Sequence, residues 1–497
     1  MVKSYNIKNK LIVELEKERK IDFANINYPE KKWTPEILGP NKKPLTDVLI
    51  IGGGMNGLSV AFSLKRLGIT NIKIIYKNPK GYMGPWKNSA RMNYLRSPKH
   101  LVGPAQNFPK LTFRSWWERK NPKMKWDDFE YIKREEWADY LIWFAKVTKS
   151  KVYNKHEVLS IVPSKYDKNL ELNYVKTKIS VNKNKFSYLD TIYSRLVILA
   201  TGRESLGKPR ITKVFESHFR ENVFHSSQTI NFDKFKNKNV AIIGAAASAF
   251  DNAALVAEKN AKNVTIIARA KKIPTLNKMK QTVYPGFAEG FYQLSDSEKV
   301  KWLNHIIKSK IAPPKKSVDR ISKTNTKIIF NVLPVELKKE TNQYLLVLEN
   351  NDNKSKEFLN LDFIILCTGF KIDIYASKEL RQIACNILLW KDKIKKNHKE
   401  YEDLKEILEF PYLGEGFEFK SKKNIKNNFH LIRCFNHASL ISLGNLANDI
   451  PHSGFGANRL AKSIAKYLFK EDKKYHFKKI LDFNSHEITG EENFFRN

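Results

Sequence analysis

The sequence predicts an α/β protein built from two Rossmann-like dinucleotide-binding domains, the second inserted into the first. Three observations carry that expectation. A β-branched apolar run, a glycine-rich turn and an amphipathic helix follow one another twice, from Asp47 and again from Asn239. Each copy continues into a second apolar strand, Ile72–Tyr76 and Val264–Ala268. Two further apolar strands end in the same kind of turn, Leu199-Ala-Thr-Gly202 and Leu366-Cys-Thr-Gly369. Strands alternating with helices in this way build parallel sheets.

Composition sets the outer limits. The chain's 497 residues suffice for two or three domains with sizeable cores, and 42% hydrophobic content excludes wholesale disorder. A balance of 89 Lys+Arg against 51 Asp+Glu leaves a formal charge of +38. The lysines are spread through every segment among many Asn and Ile residues, which reads as compositional bias, so no specific nucleic acid is expected. Such a field would still attract anionic cofactors and substrates. Cys367, Cys385 and Cys434 are too few and too scattered for a disulfide framework or a zinc site, so no metal is expected and a reducing, cytoplasmic setting fits. Before the charged Glu14–Lys20 there are only Leu11, Ile12 and Val13, too short a run for a secretory signal. No stretch approaches the roughly 18–20 apolar residues of a membrane span. A soluble protein is expected, and a homo-oligomer stays open.

In chain order, residues 1–45 read as an extension: a short charged helix, then a connector punctuated by Pro29, Pro35, Pro40 and Pro44. The first dinucleotide domain takes 46–205 and resumes at 362–475; the inserted one takes 206–361, and 476–497 form a tail. The first helix begins near Asn56, with Leu58, Ala61, Leu64 and Leu67 on one face. Trp116, Trp117, Trp126, Trp137 and Trp143 cluster in 108–147, and the helical spacing of Trp137, Leu141 and Phe144 predicts core. A lysine-rich meander (151–190), which includes Val158, precedes a strand at 195–199. Strands are expected near 328–335, 344–349 and 362–366. A long basic stretch (386–428) leads to an apolar strand, Leu440–Leu443, and a closing helix from about Asn458 to Phe469.

The chemistry resides in the turns. In Gly52-Gly-Gly54-Met55-Asn56-Gly57, Gly52 permits the tight turn and Gly54 admits a pyrophosphate to the backbone. Gly57 lets helix and strand pack closely, and the helix N-terminus faces the phosphate charge. An acidic residue should end the next strand and grip the ribose hydroxyls, yet Tyr76 stands there. Either affinity falls or a neighbouring group compensates. The second turn carries Gly244, Ala246, Ser248 and Ala249; Ala246 replaces the middle glycine, and its methyl should crowd a pyrophosphate slightly. Arg269, with Lys271 and Lys272 just beyond, suits the 2′-phosphate of NADPH better than NADH. Thr201, Gly202 and Gly369 belong to turns that pass beneath a dinucleotide, where a large side chain would collide.

With these motifs in place, residues 46–470 resemble the class B flavin monooxygenases: the flavin-containing, Baeyer–Villiger and amine N-hydroxylating enzymes. Phe219–His225 resembles their Phe-x-Gly-x-x-x-His fingerprint, with Glu221 where Gly is usual. Asp362–Phe370 resembles the Asp-x-x-x-Leu-Ala-Thr-Gly-Tyr pattern of N-hydroxylating members, with Cys367 and Phe370 as substitutions. Gly84-Pro85-Trp86 resembles the Gly-Gly-x-Trp segment beside the flavin ring. Segments 90–99, 244–252 and 284–291 resemble a bacterial subgroup that hydroxylates urate.

The resemblance implies FAD in the first domain and NADPH in the second. NADPH would reduce FAD, and O₂ would add at the flavin C4a; the (hydro)peroxide would then place one oxygen atom on a small organic substrate. A purine such as urate is one candidate, and amine N-hydroxylation or Baeyer–Villiger-type oxygenation are alternatives. A non-catalytic flavoprotein, sensor or scaffold, is the reading from another class, since Tyr76, Ala246 and Glu221 depart from the enzyme pattern. A disulfide reductase would need a Cys-x-x-Cys pair, which this sequence does not contain. Within the resemblance, Val158 and Gly454 join the FAD contacts, and the closing helix from Pro451–Gly456 offers its positive end to the flavin. Trp86, Arg91, Met92, Arg96 and Lys99 are expected around the pocket. The three cations are the catalytic candidates beside developing negative charge, with phosphate or carboxylate binding as the plainer role for Arg91 and Arg96. His225 reads as a linker hinge, and His437 and His452 as structural histidines near the flavin end.

Overall fold

Val48, Leu49, Ile50 and Ile51 place apolar side chains on both faces of one strand, which only a sheet covered on both sides can bury. In the computed structural model this run is β1 (Thr46–Ile51), flanked in parallel by β2 (Ile72–Tyr76) and β6 (Phe186–Leu199). The structure describes residues 2–40, 42–164, 167, 172–183, 186–219, 221–394, 401–422, 427–447 and 449–488. The sheet runs β3-β2-β1-β6-β5-β4, with β3 (Val152–Asn154), β4 (His156–Pro163) and β5 (Val175–Lys183), and β17 (Ile432–Arg433) also pairs with β6. The lysine-rich meander is therefore an antiparallel extension of the first sheet, with apolar positions turned inward: Val175, Thr177, Ile179 and Val181 of β5 are all buried.

The second sheet is wholly parallel, in the order β11-β10-β9-β15-β8. Its strands are β8 (Val223–His225), β9 (Asn239–Ile243), β10 (Asn263–Ala268), β11 (Lys327–Phe330) and β15 (Phe363–Leu366). A three-stranded antiparallel sheet lies beyond it: β12 (Val332–Lys339), β13 (Tyr344–Asn350) and β14 (Lys356–Leu361). The single run expected near 328–335 divides because Asn331 adopts φ +61°, which turns the chain from one sheet into the other. Where the chain passes between the two large units, β7 (Gly207–Pro209) pairs antiparallel with β16 (Phe370–Ile372).

Helices cover the sheets. α2 (Met55–Arg66) and α6 (Ala247–Glu258) follow the two glycine turns, with the short α5 (Lys213–Glu216) before the second sheet. α1 (Val2–Asn25) is a helix of 24 residues, longer than the short one expected, because Leu15 and Phe23 dock on an aromatic core. That core includes all five tryptophans of 108–147, none more than 7% exposed, between α3 (Phe113–Lys120) and α4 (Arg134–Val147).

Three further differences have plain causes. Leu440–Leu443, read as a strand, is a buried helical turn, α11: four apolar residues carry no usable period, and Gly444 at φ +69° stops them. The closing helix α12 (Ser453–Glu471) begins five residues before Asn458, because Gly454, Gly456 and Ala457 pack as closely as larger apolar residues would. Within the span assigned to the inserted unit lie α7 (Pro285–Gly290), α8 (Asp296–Lys308) and α9 (Lys315–Ile321). Of these, α7 and α8 send Phe287, Ala288, Val300, Leu303 and Ile306 into the core of the first sheet. The basic stretch 386–428 is no loose linker, since Trp390, Leu413 and Phe417 lie in that same core and α10 (Tyr401–Leu408) packs there; residues 395–400 and 423–426 of it fall outside the described set. The tail begins as α13 (Lys473–Leu481), and 489–497 lie outside the described residues.

A buried ion cluster ties the ends of the chain to this sheet. Arg195 of β6 donates to both carboxylate oxygens of Asp472, at 2.9 and 2.7 Å, with Asp47 of β1 3.6 Å away. Thr34 of the extension donates to Asp47 at 2.6 Å. Removing the one cation would strand two buried carboxylates. Arg195→Met is therefore expected to cost about 3–5 kcal/mol, read as a lowered urea midpoint; an unchanged midpoint would contradict the role.

Candidate cofactor and active site

Both glycine turns are pinned against a carbonyl at the end of a neighbouring strand. Gly52 has φ +124°, and a Cβ there would lie 2.1 Å from the Ala200 carbonyl oxygen. Gly244 has φ +129°, and its Cβ would lie 2.6 Å from the Cys367 carbonyl oxygen. The two small-Thr-Gly turns thus lie directly against the two glycine turns. A Cβ on Gly57 would meet the Gly52 carbonyl at 1.9 Å, so this glycine sets the approach of α2 to β1. Gly54 differs: its Cβ would meet only Gly84, at an ordinary 3.5 Å. Gly202 (φ +84°) and Gly369 (φ +78°) have open space on the Cβ side.

The helices that follow present unanswered amide groups. α2 starts at Gly54 and α6 at Ala246; neither has a side-chain cap or an acidic residue in its first turn. Their positive ends are left for an anion such as a pyrophosphate. Ala246 (φ −96°, ψ 178°) shares the extended backbone of Gly54 (φ −87°, ψ −169°), so alanine fits the turn without strain, and it is exposed. Behind the second turn, Ala249 is buried and Ser248 accepts from Asn252 at its carbonyl, 2.8 Å. The Cys367 thiol bonds Ser248 and Ser226, and burial pushes it up to about 12. Arg269 is exposed at the end of β10 with its guanidinium unbonded among the described residues, whereas Lys271 is paired with Asp352 at 2.8 Å.

Around the first turn, Asn56 donates to the Ala447 carbonyl at 2.7 Å, and Met55 packs on the aromatic core. Thr201 bonds Ser205 and accepts from Asn436, while Val158 is buried at an irregularity of β4. Tyr76 has no hydrogen-bonding capacity left. Its hydroxyl accepts from Asn78 (2.7 Å) and the Gly84 N–H (3.1 Å) and donates to the Gly84 carbonyl (3.3 Å). Beside it, Trp86 is held through its carbonyl by Arg134, and its buried indole N–H has no partner among the described residues. Such an orphaned donor fits an acceptor on a bound group. At α12, Gly454 lies 3.0 Å from the Gly103 carbonyl by its would-be Cβ, and the helix start again lacks a side-chain cap.

The three candidate cations are each hydrogen-bonded to backbone carbonyls. Arg91 donates to the carbonyls of Asn88 (2.7 Å) and Gln228 (2.9 Å) and lies over Phe232. Arg96 donates to the Ala312 carbonyl at 2.8 Å. Both thus strap the first unit to the inserted one, and burial lowers both guanidinium pKa values. Lys99 donates to the carbonyls of Trp126 (2.6 Å) and Phe129 (2.7 Å), inside the aromatic core, and Met92 is half-buried between the straps. The histidines divide. His225 bridges Ser227 and the Gly369 carbonyl (3.0 Å), and burial lowers its pKa, so it is a neutral tie between β8 and the second turn. His437 packs on Phe410, whereas His452 is buried with neither ring nitrogen hydrogen-bonded and Asp449 at 3.3 Å. Glu221 accepts from Lys339 and Tyr344, which anchors the linker to the small sheet and explains an acid where glycine is usual.

Two residues escaped the sequence reading: Arg203 and Glu204, directly after Gly202. Both are exposed residues, yet desolvation lowers the Arg203 pKa and raises that of Glu204, and neither has a hydrogen bond or ion pair among the described residues. Accessible, desolvated and unpaired charge makes both residues candidates to meet a ligand. Arg203 is a neighbour of Arg96, and Glu204 of Tyr76 and Lys77. Their position after a small-Thr-Gly turn was the available signal.

Residues 49–336 match the pyridine nucleotide-disulphide oxidoreductase family. The FAD-dependent urate hydroxylase of Xanthomonas campestris is 25% identical over 482 residues, covering 97% of this chain and 98% of that protein. Among solved structures, the reduced form of an ornithine hydroxylase from Pseudomonas aeruginosa superposes with a TM-score of 0.66 at 16% identity, over 85% of this chain and 100% of the other. An ornithine N-hydroxylase from Kutzneria sp. 744, solved with reduced FAD, NADP⁺ and L-ornithine, gives 0.66 at 14% identity, over 85% and 100%. These two show a shared fold.

The two glycines of the first turn should separate experimentally. Gly52→Ala is expected to cost about 3 kcal/mol or more, from strain and collision. Gly54→Ala should keep the thermal midpoint but lower FAD affinity roughly tenfold, measured by flavin fluorescence titration. Equal behaviour of the two variants would contradict the division.

Proposed function

This chain belongs to the pyridine nucleotide-disulphide oxidoreductase family, and from that premise we propose that it is an FAD- and NADPH-dependent monooxygenase placing one oxygen atom from O₂ on a small organic substrate. The observation that carries the reading is the pair of matched cradles, each a positive-φ glycine against a strand-end carbonyl and an uncapped helix N-terminus. The disulphide chemistry in the family's name has no support here: the three cysteines are free, and Cys367 and Cys434 are buried.

FAD, when bound and reduced by NADPH, supplies the oxygen-activating chemistry. The protein's own groups do the rest. Amides of residues 54–57 hold the FAD pyrophosphate, and Trp86 offers its unpaired indole N–H beside it. The amides after Gly244 hold the NADPH pyrophosphate, and Arg269 reads the 2′-phosphate. The start of α12 directs its dipole at the flavin end, where His452 is buried. Arg91 and Arg96 fix the two units against each other, which sets the approach of nicotinamide to flavin. The cation available to a substrate is Arg203, in place of Arg91, Arg96 and Lys99. An unpaired guanidinium favours an anionic or heteroaromatic substrate, and a relative matched along its whole length acts on urate, so a purine is the first choice.

NADPH is expected to bleach the visible band of the bound flavin without oxygen, and urate to stimulate NADPH oxidation with little hydrogen peroxide released. A flavin that stays oxidised would end the monooxygenase reading; fast reduction with no response to purines, amines or ketones would end only the substrate choice. Arg269→Ala should raise KM for NADPH at least about tenfold, the loss of one charge-assisted contact, and leave that for NADH nearly unchanged. Equal effects on both would place the 2′-phosphate elsewhere.

A further inference from the structure

A carboxylate suits a ribose diol because its two oxygens accept both hydroxyl protons at once. At the end of β2, where such a group is expected, Tyr76 cannot substitute: its one donor and both acceptor positions are committed to Gly84 and Asn78. The strand order brings a second strand end close to the same turn. β1 lies between β2 and β6, with Ile51 in register with both Ile75 and Leu199, so the two flanking strands end level with the Gly52 turn. The chain leaving β6 runs through Ala200, whose carbonyl abuts Gly52, and brings Glu204 within electrostatic reach of Tyr76 and Lys77.

We propose that Glu204 grips the adenosine ribose of FAD, taking from the β6 turn the role that no acid at the end of β2 can fill. This rests on the FAD reading above. Glu204 is accessible to a ligand and has no hydrogen bond or ion pair among the described residues. Its crowded surroundings also disfavour its charge, so the carboxyl pKa is raised, with Lys77 the one nearby group acting the other way. A desolvated, unpartnered carboxylate is costly until something donates to it, and a diol offers two donors.

The test uses apoprotein reconstituted with FAD and with its 2′-deoxyadenosine analogue, comparing wild type with Glu204→Gln. Glutamine has nearly the same shape on an exposed turn, and an unchanged thermal midpoint without flavin verifies the fold. Wild type should prefer FAD over the analogue roughly tenfold or more, and Glu204→Gln should bind FAD about 10–100-fold more weakly while losing the preference. A variant that binds FAD as wild type does, or keeps the preference, overturns the proposal. Wild type that takes up neither flavin overturns the FAD reading instead, so the two failures are distinguishable.

Discussion

The architecture depends on a contact no side chain can make: the Cα of a turn glycine laid against the carbonyl at the end of the adjacent strand. At Gly52 and Ala200, and again at Gly244 and Cys367, the distance leaves no room for a methyl group. The contact fixes the turn just before the helix that follows, and the first amides of α2 and α6 are left without a side-chain cap. The uncapped helix start beside each turn thus goes with the same backbone packing in both units.

Around these turns, charge is distributed by task. Arg91 and Arg96 are cations by composition but fasteners by position, since each donates to a carbonyl of the other unit. Lys99 serves the aromatic core in the same way. The side chains of Arg269 at the second turn and of Arg203 and Glu204 beside the first have no hydrogen bond among the described residues. A guanidinium joined to a backbone carbonyl keeps its charge, yet its donors are directed and its reach is fixed. Freedom of the donors, more than the presence of charge, distinguishes a residue able to meet a ligand.

Most of the fold was legible because local pattern and tertiary need coincided. Val48–Ile51 and Asn239–Ile243 are apolar on both faces and had to be central parallel strands, and the glycine spacing after each announced its turn. Legibility failed where context overrode local signal. Leu440–Leu443 was too short for a period to show, and Asn331 split one apolar run with a single left-handed residue. The turn glycines could be read because backbone geometry restricts the residue type. The surroundings of Arg91, Arg96 and Lys99 could not, since they depend on which carbonyls lie nearby, and apart from Asn88 beside Arg91 those lie 27 to 216 residues away along the chain. Glu204 was hidden for the same reason: its neighbours Tyr76 and Lys77 lie at the end of β2, more than 120 residues earlier in the chain.

The short ladder between β7 and β16 also bears on how the two halves of the molecule relate. The chain departs for the second sheet and returns from it at adjoining positions, so by topology that unit is a cassette, removable without reordering a single strand of the first sheet. Packing denies this freedom. Phe287, Leu303 and Ile306, which lie between the two cut points in sequence, belong to the host's interior. Excision would expose a wound in the recipient's core, so the halves are separable on paper and indivisible in practice, and any rearrangement during turnover must carry α7 and α8 with the first sheet.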